Sequence, residues 1–212
     1  CDIGNDVSLG KVSFDLVNDL PLPYSKAEIK GVYTSHCLEH LKEDQVLLLL
    51  DDVFRVLRSG GVLRIVLPDM KKMFDAYEDR NANFFKTFRV KSKSHQIWYL
   101  DSWLRLVTRS FAGNVVDLYD DKELYKMYNE FGREAYVSKI LNAGMSVPEA
   151  MDHPNTHKSF WHAQKMINQL KNIGFKSVSE VKRGVASDSI FKNKAIFDNT
   201  LPETSFFIEA IK

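Results

Sequence analysis

The residues best suited to chemistry lie in one short segment, residues 33–41, which reads YTSHCLEHL. The segment places a hydroxyl side chain, Ser35, next to two imidazoles and a carboxylate, namely His36, His40 and Glu39. An imidazole exchanges a proton near neutral pH, and a carboxylate accepts hydrogen bonds from polar ligands. This combination of side chains suits the binding of a polar ligand together with movement of a proton.

The elements around this segment predict where its side chains lie. Residues 29–35 are rich in Val, Ile and Tyr and predict a strand, and residues 43–58 have apolar side chains at helical spacing. The pair Gly60-Gly61 is expected to end that helix, and the nearly all-apolar residues 62–67 predict a parallel strand covered on both faces. Such a unit is a right-handed crossover, and open α/β sheets bind ligands at the carboxyl ends of their strands.

The remaining segments complete an α/β prediction for one domain, residues 1–212. Alternation predicts strands over 12–17, 177–181 and 205–212, and a helix over 165–173 is closed by Gly174. Between the sheet segments, residues 70–151 have few glycines, many aromatics and helical periodicity. We interpret this stretch as a helical insertion that follows a strand at the ligand edge and acts as a lid.

Composition excludes some classes of function. The chain has 212 residues, 44% hydrophobic and 27% charged, with a formal charge of +1, which gives no argument for nucleic-acid or membrane binding. The longest apolar run, residues 46–50, is far too short to span a bilayer. Two cysteines, Cys1 and Cys37, give no disulfide framework and no metal-ligand spacing, so we expect a reducing compartment and a cytoplasmic protein.

Several segments together resemble a class I S-adenosylmethionine-dependent methyltransferase of the kind called methyltransferase type 11. They are DLPLPY at 19–24, YTSHCLEHL at 33–41, RVLRSGGVLRIVLPD at 55–69, the stretch from HKSFW to NIGF at 157–175, and SFFIEAIK at 205–212. The resemblance implies a Rossmann-like, doubly wound, mostly parallel sheet with an antiparallel last strand. It also implies transfer of a methyl group to a small or medium acceptor, in which oxygen is favoured as the nucleophile over nitrogen and S-adenosylhomocysteine is left.

The resemblance also assigns residues to the cofactor. Asp2, following a strand, corresponds to the acidic residue that holds the ribose hydroxyls, and a carboxylate suits a diol because it accepts two hydrogen bonds. Asp19 and Leu20 correspond to the residues that contact adenine. Ser35 and His36 correspond to residues near the methionine portion and its sulfonium.

One part of the family pattern is not in this sequence. The glycine-rich loop after the first strand, which brings backbone N–H groups close to the ligand, has no counterpart, because CDIGND at residues 1–6 contains one glycine. We expect that loop to lie upstream of Cys1 in the natural protein. The alternative is a catalytically inactive, methyltransferase-like binding or regulatory module. A nicotinamide dehydrogenase is disfavoured because no G-x-G-x-x-G is present.

His36 has two interpretations. Transfer to oxygen requires loss of the acceptor's proton, and a base within about 3 Å would take it. The other interpretation is that His36 packs against the cofactor or orients a loop, because orientation alone accelerates attack on a sulfonium. Glu39 and His40 are expected to be structural.

The insertion and the segment after it supply the candidate acceptor contacts. Basic and aromatic residues alternate there, namely Phe84, Phe85, Lys86, Phe88, Arg89, Lys91, Lys93, Trp98, Tyr99 and Trp103. Trp103 could stack on an acceptor, whereas amphipathic helices that bury aromatics give the same pattern. His157 is a second candidate contact. No metal is expected, because His153, His157 and His162 are loosely spaced and lack a completing ligand.

Overall fold

The computed structural model describes residues 14–16, 18–87, 100–147 and 156–212. The chain divides into two compact units, unit 1 (Cys1–Leu67 and Ala163–Lys212) and unit 2 (Pro68–His162). Unit 1 contains β1 (Ile29–Ser35), α1 (Glu43–Val56), β2 (Leu57–Pro68, whose last residue opens unit 2), α6 (Ala163–Ile173), β3 (Ser177–Glu180) and β4 (Ser205–Ile211). Unit 2 contains α2 (Met70–Glu78), α3 (Ala82–Thr87), α4 (Leu100–Ala112) and α5 (Asp121–Met145).

The described strands form one sheet in the order β1-β2-β4-β3. β1 and β2 are parallel, with Ser35 opposite Val66, whereas β3 and β4 are antiparallel. The Gly60 N–H donates to the Lys212 carbonyl at 3.0 Å, and the Lys212 N–H donates to the Gly61 carbonyl at 3.1 Å. The end of β4 therefore meets the start of β2, which makes that pairing antiparallel. The predicted α/β class with an antiparallel last strand is confirmed.

The glycine pair lies inside β2, so the prediction that it ends the helix is wrong. Helix α1 ends at Val56, and the register between β1 and β2 shifts between Ile29 and Gly31, opposite the pair. Gly60 has φ +72°, a conformation that glycine adopts without steric cost. This local bulge, and the hydrogen bonds to Lys212, extend the strand toward its amino end beyond the predicted residues 62–67.

Helix α6 confirms the predicted helix and its stop signal. It packs on β3, β4 and α1 and buries Met166 and Leu170. Gly174 follows with φ +116°, and the Phe175 N–H donates to the Leu170 carbonyl at 3.1 Å, which satisfies a carbonyl of the last turn. The Phe175 ring then packs edge-on against Phe54 of α1 at 5.0 Å between centroids.

The β3–β4 connection, residues 181–204, covers one face of the sheet without a long helix. Its Phe191 and Phe197 pack on Tyr33 of β1, with ring centroids 6.2 and 4.8 Å from that of Tyr33. Gly31 allows this approach, because a Cβ there would lie 3.0 Å from the Phe191 ring. Irregular chain thus takes the role that a helix has on the face of a doubly wound sheet.

Unit 2 has a core of its own. Phe74 of α2, Phe111 of α4 and Tyr136 of α5 are fully buried, and the Tyr136 hydroxyl shares a 2.5 Å hydrogen bond with Thr108. Gly132, with φ +71°, interrupts α5. Helices α2, α3, α4 and α5 occupy most of the described part of the predicted helical range 70–151, with turns at 79–81 and 119–120 and a 3₁₀ stretch at Gly113–Leu118.

The predicted strand over 12–17 is not present in its described part. Residues 14–16 begin a turn in which Asp19 N–H donates to the Asp15 carbonyl at 2.9 Å, and the rest of the predicted strand lies outside the described residues. None of the described helices combines the length and hydrophobicity needed to cross a lipid bilayer.

Candidate functional site

The carboxyl end of β1 turns sharply at His36. The His36 N–H donates to the Val66 carbonyl at 3.0 Å, which extends the β1–β2 pairing by one residue beyond Ser35. His36 then adopts φ +47°, a left-handed conformation that is uncommon for a residue with a Cβ. A short 3₁₀ turn, Leu38–His40, follows. The strand therefore ends in a tight turn at the edge where α/β sheets bind ligands.

The His36 ring contacts protein groups through both nitrogens. Nε2 lies 2.9 Å from the Ser205 hydroxyl oxygen at the start of β4. The Ser205 hydroxyl also lies 2.8 Å from the Leu201 carbonyl oxygen, to which it donates. Nδ1 lies 3.4 Å from Oε1 of Glu39. Segments 169 residues apart in the chain thus meet on one imidazole.

Glu39 is a buried carboxylate at this edge. Its side chain is 3% exposed, and neither carboxylate oxygen has a hydrogen-bond partner in the structure. A ring nitrogen of His40, its neighbour in the chain, lies within 4.8 Å of a Glu39 oxygen. A buried carboxylate without hydrogen bonds is costly.

Two hydroxyls of β1 are also buried without partners. The side-chain oxygens of Thr34 and Ser35 are inaccessible to solvent and make no hydrogen bond in the structure. Buried polar atoms are nearly always hydrogen-bonded, and leaving one unpaired costs about 1–3 kcal/mol. Unpaired hydroxyls at a ligand-binding edge favour a site that a bound molecule completes.

The segment that the resemblance links to adenine is a surface turn. Asp19 is exposed, and its Oδ2 accepts from the Asp15 N–H at 2.7 Å. Leu20 is partly buried and precedes a cis peptide bond to Pro21. The structure therefore leaves an Asp19 oxygen and the Leu20 backbone at the surface of unit 1.

Two residues of α1 hold the continuation of that turn in place. Asp52 Oδ2 accepts from the Leu22 N–H at 2.6 Å, and Arg55 donates to the carbonyls of Leu22 and Tyr24 at 3.0 and 2.8 Å. Burial alone would raise the pKa of Asp52, but hydrogen bonds from Arg55 and from Leu22 lower it. These contacts give a physical reason why the DLPLPY and RVL segments occur together.

The other predicted site residues are placed differently. Asp2 lies outside the described residues. Trp103 is 7% exposed and stacks on Phe85 at 4.8 Å between ring centroids, which favours a role in the core of unit 2 over contact with an acceptor. His157 is partly buried in the last segment of unit 2.

Sequence reasoning missed Ser205 and treated Glu39 as structural. A serine at the start of a strand carries no signal for contact with a histidine far away in the chain. Cys37 is disulfide-bonded in the structure, so its sulfur is not the reduced thiol that we expected.

No family model matches the sequence, and no curated protein matches it. Solved structures similar to this chain include an S-adenosylmethionine-dependent methyltransferase from Archaeoglobus fulgidus, which is 17% identical with a TM-score of 0.43. The match covers 100% of this chain and 74% of that one. Another is a protein assigned as an O-methyltransferase from Nostoc punctiforme, 12% identical with a TM-score of 0.35, covering 89% of this chain and 33% of that one. These are distant similarities.

Proposed function

We propose that this chain belongs to an S-adenosylmethionine-dependent methyltransferase. The observation that carries the proposal is the set of buried, unpaired polar side chains at the carboxyl end of β1, namely Thr34, Ser35 and Glu39. They lie at the ligand edge of a sheet that has a parallel pair and an antiparallel last strand. The same segment carries the sequence resemblance to this class of enzyme.

The chain offers groups that fit the parts of this cofactor. The exposed carboxylate of Asp19 suits the exocyclic amine of adenine, with the Leu20 backbone beside the ring. The unpaired hydroxyl of Ser35 and the adjacent His36 suit the polar methionine end. Asp2 is proposed for the ribose hydroxyls on the resemblance alone. When bound, the cofactor supplies an electrophilic methyl group, and the protein's part is to orient the acceptor toward it.

Unit 2 is the proposed source of acceptor specificity. It is inserted in the chain directly after Leu67, at the carboxyl end of β2, where connections in α/β folds carry binding residues. We propose a small or medium acceptor, methylated on oxygen, with His157 as a contact. Trp103 is a weaker candidate, because its ring is buried against Phe85.

A second candidate function is a binding or regulatory module without turnover. One observation favours it: both ring nitrogens of His36 face protein groups. A module of this kind would bind the nucleoside and transfer nothing.

Titration calorimetry with S-adenosylmethionine and S-adenosylhomocysteine tests the proposal, with ATP as the control nucleotide. We expect heat of binding with both S-adenosyl ligands and none with ATP. Ser35→Ala should weaken binding about fivefold to tenfold, the loss of one hydrogen bond, while the exposed Ser59→Ala should not. The proposal is refuted if neither S-adenosylmethionine nor S-adenosylhomocysteine gives heat of binding. Binding without methyl transfer to a panel of hydroxylated acceptors establishes the second candidate.

A further inference from the structure

We propose that Glu39 and His40 bind a divalent transition-metal ion, Mn²⁺ or Zn²⁺, at the carboxyl end of β1. The inference goes beyond the proposed function, because no part of the cofactor assignment uses a metal. It rests on that function only where the ion is given a role toward the acceptor. It also revises the expectation of no metal, which was drawn from three other histidines.

The carboxylate of Glu39 is the first proposed ligand. Its side chain is 3% exposed, and neither of its oxygens has a hydrogen-bond partner among the described residues. Nδ1 of His36 lies 3.4 Å from Oε1 but forms no hydrogen bond with it. Buried charges are ordinarily paired or coordinate a metal. The carboxylate therefore keeps its full capacity to bind a cation.

The imidazole of His40 supplies a nitrogen donor beside this carboxylate. One of its ring nitrogens lies within 4.8 Å of a Glu39 oxygen. A nitrogen and an oxygen that share one ion at bond lengths of about 2.0–2.2 Å lie at most about 4.4 Å apart. Both groups therefore reach the same ion with little movement of the side chains.

The backbone holds the two ligands on one closed turn. The His40 N–H donates to the Cys37 carbonyl at 3.1 Å, and the Leu41 N–H donates to the Leu38 carbonyl at 3.1 Å. Leu38 is 1% exposed and anchors the turn in the core of unit 1. Because the backbone positions of both ligands are fixed before an ion arrives, binding costs little ordering of the chain.

The donor types select the class of ion. Mg²⁺ and Ca²⁺ prefer oxygen ligands alone, whereas imidazole nitrogen suits the first-row transition metals. Two protein ligands leave further coordination positions, and metal sites that act on a substrate keep a position open. His40 is partly exposed, so such a position is accessible from solvent. An acceptor hydroxyl oxygen fits it, which agrees with the proposed methylation on oxygen.

Titration calorimetry of the chelator-treated full chain with Mn²⁺, without any S-adenosyl ligand, tests the site. We expect a single ion to bind, and Mg²⁺ to bind at least about tenfold more weakly. Glu39→Gln and His40→Ala should each weaken Mn²⁺ binding by at least about tenfold, since even residues behind the ligands have effects of that size. Asp44→Asn, an exposed carboxylate near the same turn, should leave the affinity unchanged.

Three results overturn the inference: no heat with Mn²⁺, equal affinities for Mn²⁺ and Mg²⁺, or unchanged Mn²⁺ affinity in His40→Ala. Thermal denaturation guards against loss of folding in the variants. At about 100 times its Kd, Mn²⁺ should raise the Tm of the unmodified chain by about 5–10 °C. It should not raise the Tm of His40→Ala or Glu39→Gln, and an equal rise in these variants also overturns the inference.

The two ligands separate this inference from the proposed function. Heat with S-adenosylmethionine but none with Mn²⁺ overturns the metal site and leaves the proposed function standing. Heat with Mn²⁺ but none with either S-adenosyl ligand refutes the proposed function and leaves the metal site standing.

Discussion

Arg64 of β2 and Asp198 of the β3–β4 connection form an ion pair with both side chains fully buried. Nη2 lies 2.5 Å from Oδ2, and Nε lies 3.3 Å from Oδ1. Arg64 also donates to the Val185 carbonyl at 2.7 Å, and Asp198 accepts from the Gly184 N–H at 2.8 Å. Charges without water require such complete pairing, so this pair fixes an irregular connection to the face of the sheet.

We expect Asp198→Ala to destabilise the protein by about 3–5 kcal/mol, because it leaves the buried Arg64 charge with only the more distant Glu209 carboxylate, 3.7 Å away. Urea denaturation followed by circular dichroism measures the change. The control is Asp117→Ala, which removes an exposed pair with Arg109 and should cost less than about 1 kcal/mol. Equal effects of the two substitutions would contradict the role assigned to the buried pair.

Gly144 of α5 should not tolerate alanine. Glycine to alanine inside a helix usually stabilises by about 0.5–1 kcal/mol, but a Cβ here would lie 2.5 Å from Cγ2 of Val115. We expect Gly144→Ala to destabilise by about 1–3 kcal/mol. In thermal denaturation, the double variant Gly144→Ala/Val115→Ala should be more stable than the sum of the two single-variant changes in unfolding free energy predicts. Additive effects would show that the two residues do not touch.

The acid side of the stability profile should depend on Arg133. It lies 2.8 Å from Oδ1 of Asp75 and 2.7 Å from Oε2 of Glu78. Burial alone would raise the pKa of both carboxyls, but hydrogen bonds from Lys71 and Arg133 to Asp75, and from Tyr128 and Arg133 to Glu78, lower them. The folded chain therefore binds fewer protons than the unfolded chain in acid.

The direction in which stability changes with pH follows from these lowered pKa values. Their stabilisation is complete above the ordinary carboxyl values of 3.8 and 4.5 and is lost as the pH falls through the lower folded values. Arg133→Gln should therefore lower the free energy of unfolding at neutral pH by less than about 1 kcal/mol, since Arg133, Asp75 and Glu78 are partly exposed. It should also make the decrease in stability below pH 4.5 less steep. Lys122→Gln is the exposed control on α5. If urea denaturation gives the same decrease in unfolding free energy below pH 4.5 for Arg133→Gln and the unmodified chain, Arg133 does not cause the acid dependence.

Lys212 should stabilise the end of α1. Its Nζ donates to the carbonyls of Phe54 and Leu57 at 2.5 and 2.7 Å, and it lies 4.5 Å from the centre of the Phe54 ring. Because charged groups make strong hydrogen bonds, Lys212→Met should cost about 1.5–3 kcal/mol. Lys176→Met, at an exposed position, should have little effect in the same denaturation experiment.

Asp19→Ala should weaken binding of S-adenosylmethionine about tenfold, because a hydrogen bond to a charged group is worth about 1.5 kcal/mol. Asp44→Ala, an exposed carboxylate of α1, is the matched control. Calorimetry that gives the same dissociation constant for Asp19→Ala and the unmodified chain would remove Asp19 from the proposed adenine contacts.

Periodicity predicted the elements whose pattern is local. Residues 29–35 match β1, and the predicted helix over 165–173 matches α6 closely. The glycine pair at 60 and 61 misled the prediction, because its conformation is decided by pairing with Lys212, far away in the chain. A local pattern cannot report such a contact.

The candidate site was predictable only in part, for the same reason. The polar residues after β1 stand out in the sequence because their types are unusual next to an apolar strand. Ser205, which lies 2.9 Å from Nε2 of His36, and Asp198, which pairs with Arg64, are separated from their partners by 169 and 134 residues. Only the strand order β1-β2-β4-β3 brings them together.

The separate core of unit 2, built around Phe74, Phe111 and Tyr136, has a consequence for how such a protein diverges. Substitutions among its helices are absorbed by their own packing, so they need not disturb the strands that carry His36 and Ser205. Unit 2 can therefore diverge in sequence while the segments around His36 and Ser205 stay unchanged.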